Sequence, residues 1–225
     1  MHVSLSNEAM RESNKSDTVI LFDWDDTLLA SSWVSRNGLR PSYSKELPPI
    51  PDDIRRELDA LESVVVDLLS LALDYGRVVI VTAAESGWVE LSASMFLPRC
   101  LHLLESSNVR IVSARTSFEM LYPNQPTQWK VAAFHQEVFV SDATTVIPRH
   151  VISFGDSKSE REALMNISKV ERSIYGKSMK FITRPTAHEL RQQVELVLRC
   201  FDYMCTHPGP LDLQLSKHDM AAATA

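Results

Sequence analysis

The stretch TVILFDWDDTLLAS, Thr18 to Ser31, decides how the rest of the chain is read. Its apolar residues run unbroken from Val19 to Phe22. A strand with one wet face alternates apolar and polar residues, whereas an unbroken run marks a strand buried on both faces, as in a parallel sheet. The run ends on Asp23, Asp25 and Asp26, three carboxylates within four positions. Like charges so close cannot all stay ionised cheaply unless a cation neutralises them.

Working outward, the same pattern recurs. Val78 to Val81 is a second apolar run, closed by Thr82, and Val109 to Val112 is a short third. Val151 to Phe154 is a fourth, closed by Gly155-Asp156-Ser157, and Lys180 to Ile182 reads as a fifth. Helical spacing of apolar residues fills the intervals. It predicts helices over Asp52–Tyr75, Glu85–Met95, Trp129–Val138, Ser159–Ile167 and Thr186–Tyr203, with residues 101–105 extending the helical region beyond Pro98. The first of these follows Pro51 and opens on Asp52-Asp53, acids that suit a helix N-terminus. Strands alternating with helices predict an α/β fold, a three-layer doubly wound parallel sheet.

Composition fits one domain. The chain has 225 residues, 44% hydrophobic and 23% charged, enough to bury a sizeable core. The expected organisation is a polar, disordered tail over residues 1–17, a folded domain over 18–204 with a loop or flap at 31–51, and a flexible tail over 205–225. A net charge of -6 argues against a general binder of nucleic acid or of anionic membranes, both of which want a basic face. No apolar run approaches the ~20 residues of a membrane helix. The three cysteines form no CxxC pair and read as reduced thiols. These features, with no signal-peptide pattern at the N-terminus, point to the cytoplasm, with the nucleus left open.

Ligands of a parallel α/β sheet bind beyond the carboxyl ends of its strands, so the polar residues that follow the strands share one rim. That rim collects Asp23, Asp25, Asp26 and Thr27 from the first strand, Thr82 from the second and Asp156 from the fourth, with Glu160 four positions on. Lys130 stands near a helix start. Oxygen ligands alone suit Mg²⁺, which binds through one or two carboxylates, waters and phosphate oxygens. Lys130 and Thr82 would hold the phosphate from the other side. An aspartate that forms an aspartyl-phosphate is one kind of covalent catalyst.

In this arrangement the chain resembles the haloacid dehalogenase-like (HAD) superfamily of phosphohydrolases. The resemblance rests on Asp23-Trp24-Asp25-Asp26-Thr27 after an apolar strand, VVIVT ending in Thr82, Lys130 in QWKVAAF, and VISFGDSKSE with Asp156 and Glu160. The four motifs occur in order and span roughly residues 18 to 200. The resemblance implies a Mg²⁺-dependent phosphatase with Asp23 as nucleophile and metal ligand. Asp25 would ligate the metal through its carbonyl, protonate the leaving oxygen and then activate water. Thr82, Lys130 and the backbone N–H of Trp24 would bind the phosphoryl group. Asp156 would ligate the metal directly, and Glu160, with Ser157 beside it just outside the ligands, would act through a water or orient Lys130. An acid at Asp25 favours phosphatases and phosphomutases, since an alkoxide leaving group needs a proton.

Competing readings stand beside this one. Lys158 and Lys169 rival Lys130, and Glu162 rivals Glu160. Asp26 reads as a turn or helix cap. Trp33, Trp88 and Trp129 read as packing, while the Trp24 ring could govern access. His102, His135 and His150 show no ligand spacing, and Cys200 and Cys205 read as core thiols. Neither interval between motifs holds a large cap domain, so the site is expected to be open. In the superfamily that the chain resembles, an open site implies a large phosphorylated substrate, such as a phosphoprotein or a nucleic-acid end, or a partner that supplies a lid. Two alternatives remain: a phosphotransferase or mutase using the same intermediate, and a non-catalytic binding or regulatory scaffold.

Overall fold

The computed structural model describes residues 17–41, 49–140 and 147–223. Six parallel strands form one sheet: β1 (Thr18–Phe22), β2 (Arg77–Thr82), β3 (Arg110–Ser113), β4 (His150–Gly155), β5 (Tyr175–Lys180) and β6 (Leu211–Gln214), in the order β3-β2-β1-β4-β5-β6. The helices are α1 (Ser31–Arg36), α2 (Asp52–Tyr75), α3 (Trp88–Phe96), α4 (Pro98–Ser106), α5 (Ala114–Phe118), α6 (Pro126–Phe139), α7 (Lys158–Val170), α8 (Ala187–Thr206) and α9 (Lys217–Ala223).

The pleat of β1 sorts its side chains between two cores. Ile20 and Phe22 face α2, α3, α4 and α8, while Val19 and Leu21 face α6 and α7. This is the three-layer α/β architecture expected from the apolar runs. Leu58, Leu61, Val65, Leu68 and Leu69 of α2 are fully buried, each removal from water contributing ~2 kcal/mol. At the seam between β1 and β4, Phe22 stacks on Phe154 with centroids 4.7 Å apart, and Phe154 stacks in turn on Phe201. Because Phe22 pairs with Phe154 in register, Asp23 and Gly155 leave the sheet side by side. The chain winds outward through β2 and β3, then returns to β4 on the other flank of β1. The reversal lies beside β1, where a parallel sheet opens a crevice.

Several expectations need correction. The fifth strand is Tyr175–Lys180 and not Lys180 to Ile182. Its polar sequence YGKSMK hides a buried strand whose Lys177 is 0% exposed and donates to the Cys205 carbonyl at 2.9 Å. The segment 205–225 is no loose tail where it is described, because Leu211–Gln214 pairs along β5 and Lys217–Ala223 is helical. The flap at 31–51 begins with α1, and its residues 42–48 lie outside the described residues, as do residues 1–16 of the expected N-terminal tail. The helix expected to stop near Pro98 ends at Phe96, and Pro98 opens α4, a separate helix that takes in the expected residues 101–105. No inserted domain separates β1 from β2 among the described residues. None of their helices is long and apolar enough to cross a membrane.

Candidate active site

Every rim residue singled out from the sequence lies at the carboxyl end of the sheet. Asp23 follows β1 directly, and its N–H donates to the Phe154 carbonyl at 2.9 Å, fastening the residue to β4. Lys130, on the second turn of α6, is 1% exposed. Its Nζ lies 2.6 Å from Asp23 Oδ1 and 3.0 Å from Glu160 Oε1, and it donates to the Val81 carbonyl of β2. The rivals Lys158, Lys169 and Glu162 are exposed. Gly155 allows this convergence: a Cβ there would stand 2.4 Å from Glu160 Cγ, so only glycine lets Glu160 pass under β4. Ser157 caps α7 by accepting from the Ser159 N–H at 3.0 Å, and its hydroxyl donates to Glu160 Oε2.

The Asp25 carboxylate is gripped at both oxygens. Trp88 Nε1 donates to Oδ1 at 3.0 Å and Thr82 Oγ1 to Oδ2 at 3.3 Å, while the Ala84 N–H donates to Thr82 Oγ1 at 3.0 Å. Trp88 is the residue that sequence reasoning missed. Its sequence context suggests packing, yet it opens the helix after β2 and so belongs to the same rim as Thr82; extending the rim rule to the first turn of the next helix finds it. Trp24 needs the opposite correction. Its ring is 0% exposed and donates to Ser92 Oγ at 2.9 Å, so it lies in the core and does not control access. Asp26 is the turn cap expected of it: at φ 56°, it accepts from the Ser32 N–H at 2.9 Å and from the Ser32 hydroxyl, holding the start of α1. Trp129 packs, donating to the Tyr122 carbonyl at 2.7 Å. Cys100 and Cys205 are buried free thiols, and burial pushes both up to about 12.

The electrostatics are unbalanced. A cavity of ≈ 370 Å³ is lined by Asp23, Asp25, Asp26, Asp156 and Glu160, five carboxylates against the one ammonium of Lys130. Burial lowers the tendency of Lys130 to hold its proton, but Asp23 and Glu160 more than offset this and the ammonium stays charged. Burial works against the Glu160 carboxylate, yet Lys130 and Ser157 hold it below the usual range. Asp23 is left raised well above its ordinary value, by burial first and then by Glu160 and Asp25. Burial also raises Asp25, against the pull of the Trp88 hydrogen bond. Asp156 is raised to about 7 by burial, Glu160 and Asp26. Ionising Asp23 and Asp156 together calls for a further positive charge.

The donor set fits a hard divalent cation. The carboxylates of Asp23 and Asp156 flank the cavity, and no described residue donates to the Asp25 carbonyl. No three His, Cys, Asp or Glu side chains among the described residues form a metal cage of their own. Two carboxylates and a carbonyl are instead the sparse protein share that Mg²⁺ takes when waters and phosphate complete its shell.

A second cavity of ≈ 580 Å³ adjoins the first, sharing Asp25, Ser31 and Ser32 with it. Its remaining lining includes Trp88, Phe96 and four arginines, Arg36, Arg40, Arg115 and Arg184. Compared with protein-family models, with curated proteins and with solved structures, the chain matches none.

Proposed function

We propose that the chain is a Mg²⁺-dependent phosphatase of the haloacid dehalogenase-like kind, hydrolysing a phosphomonoester through an aspartyl-phosphate on Asp23. One observation carries this reading: Lys130, buried between Asp23 and Glu160, ties β1, β2 and α7 into one cavity that also holds Asp25 and Asp156. Such convergence from distant parts of the chain supports a reacting centre over a solvated acidic face.

The chemistry takes two displacements. Asp23 attacks phosphorus, the ester P–O bond breaks, and the Asp25 carboxyl passes its proton to the departing oxygen. Water then attacks the acyl phosphate while Asp25 takes back a proton, and the bond between phosphorus and Asp23 breaks to release phosphate. Trp88 and Thr82 fix the direction in which Asp25 presents its proton, an alignment that such transfers need. Lys130 and the Trp24 N–H would bear on the phosphoryl oxygens. Asp23, Asp156 and the Asp25 carbonyl would hold Mg²⁺, which when bound supplies positive charge to the carboxylates and the phosphate. Transfer to an acceptor other than water would need a cover that excludes water, and no inserted domain provides one among the described residues.

The test is hydrolysis of p-nitrophenyl phosphate by wild type with Mg²⁺, beside Asp23→Asn and an EDTA-treated control. Turnover by wild type alone, with at least ~1,000-fold loss in Asp23→Asn, is expected, because the variant lacks its nucleophile. Undiminished activity in Asp23→Asn would remove Asp23 from that role. No turnover, together with no binding of Mg²⁺ and BeF₃⁻, would favour a non-catalytic scaffold.

A further inference from the structure

The two adjoining cavities carry opposite charge. The site cavity sets five carboxylates against one ammonium, whereas the neighbouring cleft sets four guanidinium groups against Asp25 and Glu85. In a chain of net charge -6 this is a local inversion. The arginines come from four separate places: α1, the segment after it, α5, and the connection from β5 to α8. Arg36 binds two of these places together, its Nη2 donating to the Pro185 carbonyl at 3.3 Å and the Arg184 carbonyl at 3.5 Å. Arg115 is spoken for, paired with Glu119 at 3.0 Å and Glu85 at 3.5 Å. Arg40 and Arg184 have no ion-pair partner among the described residues. Arg184 also holds φ 52°, a left-handed backbone unusual for a side chain of its size.

We propose that this cleft is the leaving-group subsite, and that the substrate class is a phosphomonoester whose leaving group carries a second anionic group, phosphate or carboxylate, bound by Arg40 and Arg184. The inference rests on the phosphatase reading for its reaction but not for its binding. The shared lining at Asp25, Ser31 and Ser32 places the cleft beside the residue that protonates the leaving oxygen, so the departing half of the substrate extends into it. Trp88 offers that half an indole surface, and the guanidinium groups offer its anion planar, multidentate donors. A substrate with only an uncharged leaving group leaves Arg40 and Arg184 unused.

The experiment compares hexyl phosphate with hexanediyl bisphosphate and with phosphonooxyhexanoate, which share the reacting group and differ in the far end. The expected result is a kcat/KM at least about tenfold higher for one or both doubly anionic substrates, the equivalent of ~1.4 kcal/mol. In Arg40→Gln/Arg184→Gln that ratio collapses towards one. A preference for the bisphosphate alone assigns the subsite to phosphate, and a preference for both assigns it to anions generally. A ratio near one in wild type, or one that survives the double substitution, overturns the proposal. If no substrate turns over, the phosphatase reading fails separately, and calorimetric binding of hexanediyl bisphosphate to Asp23→Asn decides the subsite. Binding that weakens about tenfold on adding the two arginine substitutions sustains it, and unchanged or absent binding rejects it.

Discussion

The ammonium of Lys130 touches β1 through Asp23, β2 through the Val81 carbonyl and α7 through Glu160. Removing one partner of a buried ion network strands the others, at a cost of about 3 to 5 kcal/mol. Lys130→Met keeps the length and apolar stem of the side chain and leaves Asp23 and Glu160 facing each other. It is expected to lower the unfolding free energy by about 3 kcal/mol in urea titration. A loss below about 1 kcal/mol would mean that the stranded carboxylates find water or each other at little cost. At this scale the sequence was legible wherever a residue ends a strand or follows it directly, as Thr82 ends β2 and Asp23 and Asp156 follow β1 and β4. The same logic reached Lys130 and Glu160 through spacing. It failed for Trp88, because an indole donor at a helix start looks identical to a packing residue until Asp25 is seen beside it. It failed for the Trp24 ring because alternation along an irregular turn does not reveal which way a side chain points.

Among the elements, β6 was the least legible. LDLQ follows HPGP, and its burial alternates between half-buried and exposed, so it lacks the unbroken apolar run that announced β1, β2 and β4. The crossover rule argues against it as well. The connections β4–α7–β5 and β5–α8–β6 advance in the same direction across the sheet, yet α7 packs with one core and α8 with the other. The two crossovers therefore have opposite hand, and one departs from the near-universal rule. The strand is nonetheless joined to the domain: Leu211, Leu213 and Leu215 pack on the core that contains Phe201, and the Leu215 N–H donates to the Lys180 carbonyl at 2.9 Å. Ending the chain after Gly209 would expose the edge of β5. The expected loss is roughly 3 kcal/mol, about 1 for each half-buried leucine, with a shift towards self-association through the open edge. Chemical denaturation and light scattering read both effects, and an unchanged denaturation midpoint would show that β6 contributes nothing.

On the scale of the whole molecule, the crevice at the carboxyl end of the sheet is where opposite charges are set apart. One side of the crevice carries an excess of carboxylates and the other an excess of guanidinium groups. The acidic side opposes folding unless a cation relieves it, because Asp23 is buried and Asp156 half-buried among like charges. A ligand that binds only the folded state raises its stability by mass action. Mg²⁺ is therefore expected to raise Tm by a few degrees, reversibly with EDTA. Asp156→Asn is expected to raise Tm in EDTA, by removing a crowded carboxylate, and to blunt the gain from Mg²⁺. Scanning calorimetry reads both, and a Tm indifferent to Mg²⁺ in wild type would argue against the metal site.

The strand order has a temporal consequence. Asp23 follows β1, an inner strand whose two neighbours enter the chain at very different times: β2 first, β4 only past the midpoint. Pairings so far apart along the chain are slow to form, since the entropy of closing the loop precedes any contact that rewards it. During synthesis Asp23 emerges early, and the Phe154 carbonyl that fastens its N–H arrives only with β4. A half-made chain therefore lacks the cavity altogether, which is completed only once the seam between Phe22 and Phe154 closes and Asp156 and Glu160 follow β4.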